Sequence, residues 1–353
     1  MQLPTAIAMH SYPRNRLAIA DFRRFTRTQK STGVQMVDLD VASAISRNQL
    51  FRGVLGVAAA AGAFRTGAAI AVINQPRLPP LTQPAFEHVG VRFTRCGGAR
   101  VKVFYPASAP GNNAAPYCTD GIETSDGMAS LVGFKQLGVP FLLEHLAGAR
   151  SGATLDAPPA DTRAPLLVYS HGFGGNMDMA SYLFRSFAAQ GIVCAAVEHT
   201  DGTASYTQLA DGSSLSFSPG MLSRGEQLSR RAAELLAASR PGALGLDGLL
   251  PLSPEPDVFL GGHSYGGPSA LLAAALAAAD TTVAPPKLRG LLLHDPALGM
   301  NAGLDAAIGR GAGSPGLPTL SYVSDEYDRA GVRCGTATLH TIGGFHGASE
   351  SPA

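Results

Sequence analysis

DVFLGGHSYGGPSALLAAALAAA, residues 257–279, is the stretch from which the fold can be read. Asp257 to Leu260 is a short apolar strand, and Pro268 to Ala279 is an Ala- and Leu-rich helix. Between them Gly262-His263-Ser264-Tyr265-Gly266-Gly267 matches the pattern GxSxG. A Ser held in a tight strand-to-helix turn has a strained backbone, and its close neighbours must lack side chains for the two elements to approach. The pattern alone arises by chance in a chain with 42 Gly, but the strand before it and the helix after it stand where a nucleophile turn needs them.

A Ser hydroxyl is a weak nucleophile, so Ser264 needs a His base and an acid that orients the imidazole. In α/β hydrolases these follow in the order Ser, acid, His, each just beyond a strand. The histidines after Ser264 are His294, at the end of a strand run, His340, inside one, and His346, which follows a strand through Gly343-Gly344-Phe345. His346 is the expected base. For the acid, Asp295 follows Gly290 to His294 and is held by Pro296, whereas Asp325 and Glu326 follow Thr319 to Val323. Residue pattern alone leaves these open. Acyl transfer also requires N–H donors aimed at the developing oxyanion. The Tyr265 amide, just after the nucleophile, is one expected donor. The other is Phe173, in the glycine-rich His171-Gly172-Phe173-Gly174-Gly175 that ends the strand Leu166 to Ser170. A phosphate loop is disfavoured there, since neither GK[ST] nor GxGxxG spacing occurs.

Outward from these motifs, strands and helices alternate. A helix is expected over about Met179 to Gln190, stopped by Gly191, and a strand over Ile192 to Val197. Leu222 to Ser239 reads as an amphipathic helix with Leu228, Ala232, Leu235 and Leu236 on one face and Arg224, Glu226, Arg230, Arg231 and Glu234 largely on another. Strands at Thr319 to Val323 and Thr338 to Ile342 complete the series. Short apolar strands alternating with helices imply an α/β fold, a mainly parallel sheet covered on both faces. Before them, Val89 to Thr94 and Ala99 to Tyr105 flank Gly97-Gly98 as a β-hairpin. Pro106 to Asp161 is rich in Gly, Pro and Ser. Its apolar piece, Val139 to Leu146, reads as a packed surface helix ahead of a lid or a lipid-facing surface.

Composition narrows the function classes. The 353 residues are 45% hydrophobic and 15% charged, which fits a globular core and neither a disordered chain nor a coiled coil. A net charge of +1 offers no footprint for a phosphate backbone, so nucleic acid is not an expected partner. Cys96, Cys118, Cys194 and Cys334 form no CxxC pair, and no metal or cofactor is expected. The first 40 residues carry Arg14, Arg16, Arg23, Arg24, Arg27 and Lys30, with Asp21 the lone acid before Asp38. This fits an organelle transit segment or a disordered basic tail. The apolar run Val54 to Ile73, broken by Arg65, leaves a peripheral anchor, a second targeting element and an Ala-rich helix open. We therefore divide the chain into an N-terminal extension, 1–80, and a hydrolase domain, 81–353. An organelle or a membrane surface is the expected location ahead of the cytoplasm, with secretion behind both.

Several segments together resemble the platelet-activating factor acetylhydrolases of the plasma and cytosolic type II group. They are PLLVYSHGFGGNMDMASYLFRSFAAQGIVCAAVEHTDGTASYT at 165–207, GHSYGG at 262–267, the helix around Arg224 to Ala237, the strand leading to Asp295, SDEY at 324–327 and TIGGFH at 341–346. The resemblance spans about Pro84 to His346. It implies an α/β hydrolase fold and a calcium-independent phospholipase A2-type serine hydrolase that removes a short or oxidised sn-2 acyl group from phospholipids. It also implies Asp295 as the acid, with SDEY a structural turn, Ser264 as nucleophile, His346 as base and the Phe173 and Tyr265 amides as oxyanion hole. The expected partners are a phospholipid or short-chain ester substrate and a membrane surface contacted peripherally. A general esterase or polyester hydrolase and a catalytically inactive binding protein are the alternatives. Two features depart from the family. Its further helix after the histidine has no counterpart in the seven residues following His346, and its members have no match for the basic N-terminus. A shortened C-terminus would be expected to loosen the His346 loop.

Overall fold

The computed structural model describes residues 80–240, 242–279, 286–298, 316–324 and 337–341. All of the N-terminal extension except Pro80 lies outside these, as do Cys334, Asp325, Glu326 and the segment carrying His346.

The chain enters with an antiparallel hairpin, β1 (His88–Cys96) and β2 (Ala99–Ala107), joined at Gly97 and Gly98 as expected. There follow β3 (Asn113–Pro116), α1 (Ile122–Leu131) and β4 (Arg150–Leu155). Next come β5 (Leu166–Ser170), α2 (Ser181–Ala188) and β6 (Val193–Glu198), then a small ribbon of β7 (Tyr206–Gln208) and β8 (Ser214–Ser216). The last part comprises α3 (Arg224–Ser239), β9 (Val258–His263), α4 (Gly266–Ala279), β10 (Leu288–His294), β11 (Thr319–Ser324) and β12 (Ala337–Thr341). The ten-stranded sheet runs β12-β11-β10-β9-β5-β6-β2-β1-β4-β3. From β12 to β6 every pairing is parallel, and β2 then pairs antiparallel with β6. This is the α/β hydrolase arrangement expected from the alternation of elements.

The physical reason is legible in the burial. All residues of β5 and β6 are buried, because α3 and α4 cover one face while α2 packs against β6 and β2 on the other. Leu228, Ala232 and Leu235 of α3 and Ala270, Ala273 and Ala274 of α4 join Val168, Val197, Leu260 and Leu293 of the sheet in one core. Small Ala side chains let α4 lie close to the strands, so close packing is reached with few aromatics. α3 is capped at its start by a reciprocal box in which Ser223 Oγ accepts from the Glu226 amide and Glu226 accepts from the Ser223 amide.

Three features differ from the expectations. Val139 to Leu146 forms no α-helix but two 3-10 turns, Pro140–Leu142 and Glu144–Gly148, none of whose residues is fully buried. Pro140, which lacks an amide hydrogen, opens the first turn, and Gly138 just before the run has φ +74. The Gly-, Pro- and Ser-rich stretch Pro106 to Asp161, in which the sequence singles out only Val139 to Leu146, supplies β3, α1 and β4. α1 is hidden from periodicity because its buried face is Thr124, Ser125, Gly127 and Ala129, and a Cβ on Gly127 would come within 2.5 Å of Ser205 O. Finally, Arg231 and Glu234, read as part of the polar face of α3, are buried.

Candidate active site

β5 lies between β6 and β9, so the chain leaves it on one side and returns on the other, a topological switch point at the carboxyl ends of parallel strands. The loop after β5 and the turn after β9 both emerge there. Ser264 follows the last residue of β9 with φ +51, in the left-handed region, and Asp295 follows the last residue of β10 with φ +40. Each conformation is uncommon for a side-chain-bearing residue and is held here by surrounding hydrogen bonds. The Ser264 amide donates to His294 O at 2.9 Å, Gly267 and Ala297 amides both donate to Ser264 O, and the Asp295 amide donates to Tyr322 O at 2.9 Å. Close approach explains the glycines: a Cβ on Gly267 would stand 2.6 Å from Pro296 Cβ, and one on Gly262 would overlap Gly266 O.

The structure brings the expected nucleophile, acid and oxyanion residues to one edge. His263 and His294 are partners in the parallel pairing of β9 and β10, so Ser264 and Asp295 leave adjacent strands at the same level. The Asp295 carboxylate is buried and accepts from the Ser324 amide and hydroxyl, each at 2.7 Å. Gly172 lies against the elbow, since a Cβ there would be 3.3 Å from Ser264 Cβ and 2.9 Å from His263 Nδ1. The Phe173 and Tyr265 rings meet edge to face at 5.9 Å. Among the described residues neither the Phe173 nor the Tyr265 amide donates a hydrogen bond. His346 and the alternative acids Asp325 and Glu326 lie outside the described residues. β12, which precedes His346, is parallel to β11 and ends on the edge that carries Ser264. His294, weighed as a base, is instead a buried packing residue. Its Nδ1 is 2.7 Å from the Tyr169 hydroxyl, and burial pushes its pKa down to about 3.

Behind the His171–Gly175 loop is a buried polar cluster that the sequence reading missed. Arg231 of α3 is fully buried and donates through Nε to Asp201 Oδ2 and through Nη1 to His171 O, each at 2.7 Å. It also donates through Nη1 to Ser170 Oγ at 3.3 Å and through Nη2 to Thr203 Oγ1. His199 bridges Ser170 Oγ at Nε2 and Glu234 Oε2 at Nδ1, each at 2.7 Å. The Thr203 carbonyl accepts from the Gly174 amide, and Gly175 O from the Ser205 amide. The cluster thus ties α3 and the strand-end segment after β6 to both ends of His171–Gly175. Burial pushes the Asp201 carboxyl up, but Arg231 above all offsets this and holds it below the usual carboxylate range. Burial pushes Glu234 up to about 7, opposed by hydrogen bonds from Thr200, and lowers His199 well below its ordinary value with help from Arg231. A usable signal was present, because Arg231 stands three residues after Leu228 and four before Leu235, on the apolar face by helical spacing.

On the far side of the loop, buried Lys102 of β2 donates to Asp178 Oδ1 at 2.7 Å and to the carbonyls of Pro116 and Tyr117. Asn176 Nδ2 donates to Ser205 Oγ at 2.9 Å. Among the described residues no group of three or more His, Cys, Asp or Glu could hold a metal ion, and no helix is long and apolar enough to cross a membrane.

Residues 91–218 match the family model described as platelet-activating factor acetylhydrolase, isoform II. The chain is an α/β hydrolase similar to the platelet-activating factor acetylhydrolases. The matched region runs from β1 past β8 and includes the whole His171–Gly175 loop. Together with the Ser264 elbow it makes the chain a carboxylic ester hydrolase. Among solved structures the chain is similar to a ferulic acid esterase from Streptomyces cinnamoneus at 20% identity, covering 75% of this chain and 76% of that one with a TM-score of 0.48. It is also similar to an esterase from Pyrobaculum calidifontis at 15% identity, covering 80% and 83% with a TM-score of 0.39.

Proposed function

We propose that the chain removes a short or oxidised sn-2 acyl group from phospholipids through an acyl-Ser264 intermediate. His346 takes the Ser264 proton as Oγ attacks the sn-2 carbonyl carbon, and Asp295 orients and stabilises the resulting imidazolium. The Phe173 and Tyr265 amides receive the oxyanion, each donor contributing roughly 3 kcal/mol to lowering the barrier. The C–O bond then breaks, the lysophospholipid alkoxide takes the proton from His346, and water repeats the sequence to release the carboxylate and restore Ser264.

The observation that carries the lipid substrate is the apolar mouth of the site. Phe173 is 38% exposed and Leu131 37%, and the Leu131 methyls pack where a Cβ on Gly174 would sit. Val132 and Leu137, close in sequence to Leu131, are exposed as well. An exposed apolar rim at the entrance suits an acyl chain or a lipid surface more than a small polar ester.

The test compares hydrolysis of an acetylated phospholipid, presented at an interface, with a soluble acetyl ester, and labels the protein with a fluorophosphonate. We expect labelling of the wild type, none of Ser264→Ala, and a higher kcat/KM for the phospholipid. Preference for the soluble ester with no interfacial gain would assign a general esterase instead. Folded wild type that takes no label would leave only a binding role.

A further inference from the structure

We propose that Arg224 forms the phosphate subsite of this active site, recognising the phosphodiester anion of the substrate's sn-3 head group. The proposal rests on the phospholipid reading and adds the residue that selects for it. Arg224 is the first residue of α3 and is half-buried. Its guanidinium carbon lies 4.4 Å from the centroid of the Phe173 ring and 5.6 Å from that of Tyr265. These are the two residues whose amides are proposed above to receive the oxyanion, so the cation stands beside both proposed donors.

The surroundings of Arg224 leave its charge uncompensated. Its Nη1 donates to Gln227 Oε1 at 2.8 Å, and among the described residues no carboxylate pairs with it. Glu226 on the same turn and Asp201 beside Arg231 are committed elsewhere. Glu226 accepts from the Ser223 amide at 2.8 Å, and Asp201 is paired with Arg231. A guanidinium carries five N–H donors in a planar fork, so one bond to Gln227 leaves most of them for a ligand. Cation–π contact with the two rings holds the guanidinium without consuming those donors, which preorganises the fork for a bidentate anion. In a glycerophospholipid the phosphate lies only a few bonds from the sn-2 carbonyl, so a carbonyl seated on the Phe173 and Tyr265 amides brings an anionic oxygen to this rim. Gln227 is itself buried and accepts from the Tyr265 hydroxyl at 3.2 Å, so the bond that steers Arg224 belongs to the same rigid unit as the elbow.

The experiment measures kcat/KM for a 1-alkyl-2-acetyl-glycerophosphocholine and for the corresponding 1-alkyl-2-acetylglycerol, which lacks the phosphate. Both are used as monomers, on wild type, Arg224→Gln, Arg224→Lys and Arg230→Gln. The readout is the ratio of the two values, in which any loss common to both esters cancels. The ratio should favour the phosphate ester in wild type and fall roughly ten- to hundredfold in Arg224→Gln, the loss expected for hydrogen bonds to a charged group. Arg224→Lys should recover part of it, as a point charge without the fork. Arg230→Gln, at an exposed cation on the same helix, should keep the wild-type ratio. A wild-type preference that survives in Arg224→Gln, or that falls equally in Arg230→Gln, overturns the subsite while leaving the phospholipid reading standing. A wild type with no preference for the phosphate ester overturns both.

Discussion

Replacing Arg231 by Met should cost this protein about 3–5 kcal/mol, the range for breaking a buried ion pair from one side. The structure shows why the upper half of that range is expected. The Asp201 side chain is as fully buried as that of Arg231. Its Oδ1 accepts from the Thr203 amide and hydroxyl, but Oδ2 has Arg231 Nε as its partner. Removing the guanidinium leaves that oxygen uncompensated and also strips the donor from His171 O. Against a total stability of roughly 5–15 kcal/mol, the variant should remain folded but marginal. The pH dependence follows by sign. In the wild type Asp201 has a depressed pKa, so its contribution is present above the ordinary carboxylate value and lost as pH falls. Without Arg231, burial raises that pKa, and the contribution is present at low pH and lost as pH rises through the folded value. The deficit should therefore be smaller near pH 5 than near pH 8. Urea denaturation with unchanged m, for Arg231→Met, Asp201→Asn and the double variant, measures this directly. The double variant should lose roughly 2 kcal/mol less than the sum of the single losses. A single-variant loss under about 1 kcal/mol, or strict additivity, would refute the view that this pair is what anchors the His171–Gly175 loop.

Two further outcomes follow from the site. Asp295→Asn should lower kcat by about four orders of magnitude, as expected when an orienting acid is neutralised, and Asp325→Asn should not; steady-state kinetics giving the reverse would move the acid to the turn after β11. Glu234 titrates in the folded protein at about 7, above its ordinary value, so its contribution is present below the unfolded pKa and lost as pH rises through 7. Between pH 6.5 and 8 stability should drop by about 1 kcal/mol from this group. Glu234→Gln should flatten that slope in urea midpoints; an unchanged slope would show that the proton sits elsewhere.

The sequence by itself determined the frame and the turn that carries Ser264. β5, β6, β9, β10 and β11 could be read within a few residues, since strands buried on both faces must be continuous apolar runs. The elbow was legible because its glycines are demanded locally, by a turn in which Gly262 and Gly267 admit no side chain. α1 was not legible, because Thr, Ser, Gly and Ala packed against Ser205 and Tyr206 leave no apolar period to read. Nor were the partners of Arg231. The residues that meet it, Ser170, His171, Asp201 and Thr203, come from two strand ends that adjoin only once β5 and β6 pair. A charge on the flank of an amphipathic helix looks solvated until the tertiary structure places a carboxylate opposite it, and its desolvation is then offset by a partner distant in sequence. The Ser264 turn and the glycines of His171–Gly175 answer to local backbone geometry, whereas the cluster that braces them answers to long-range burial.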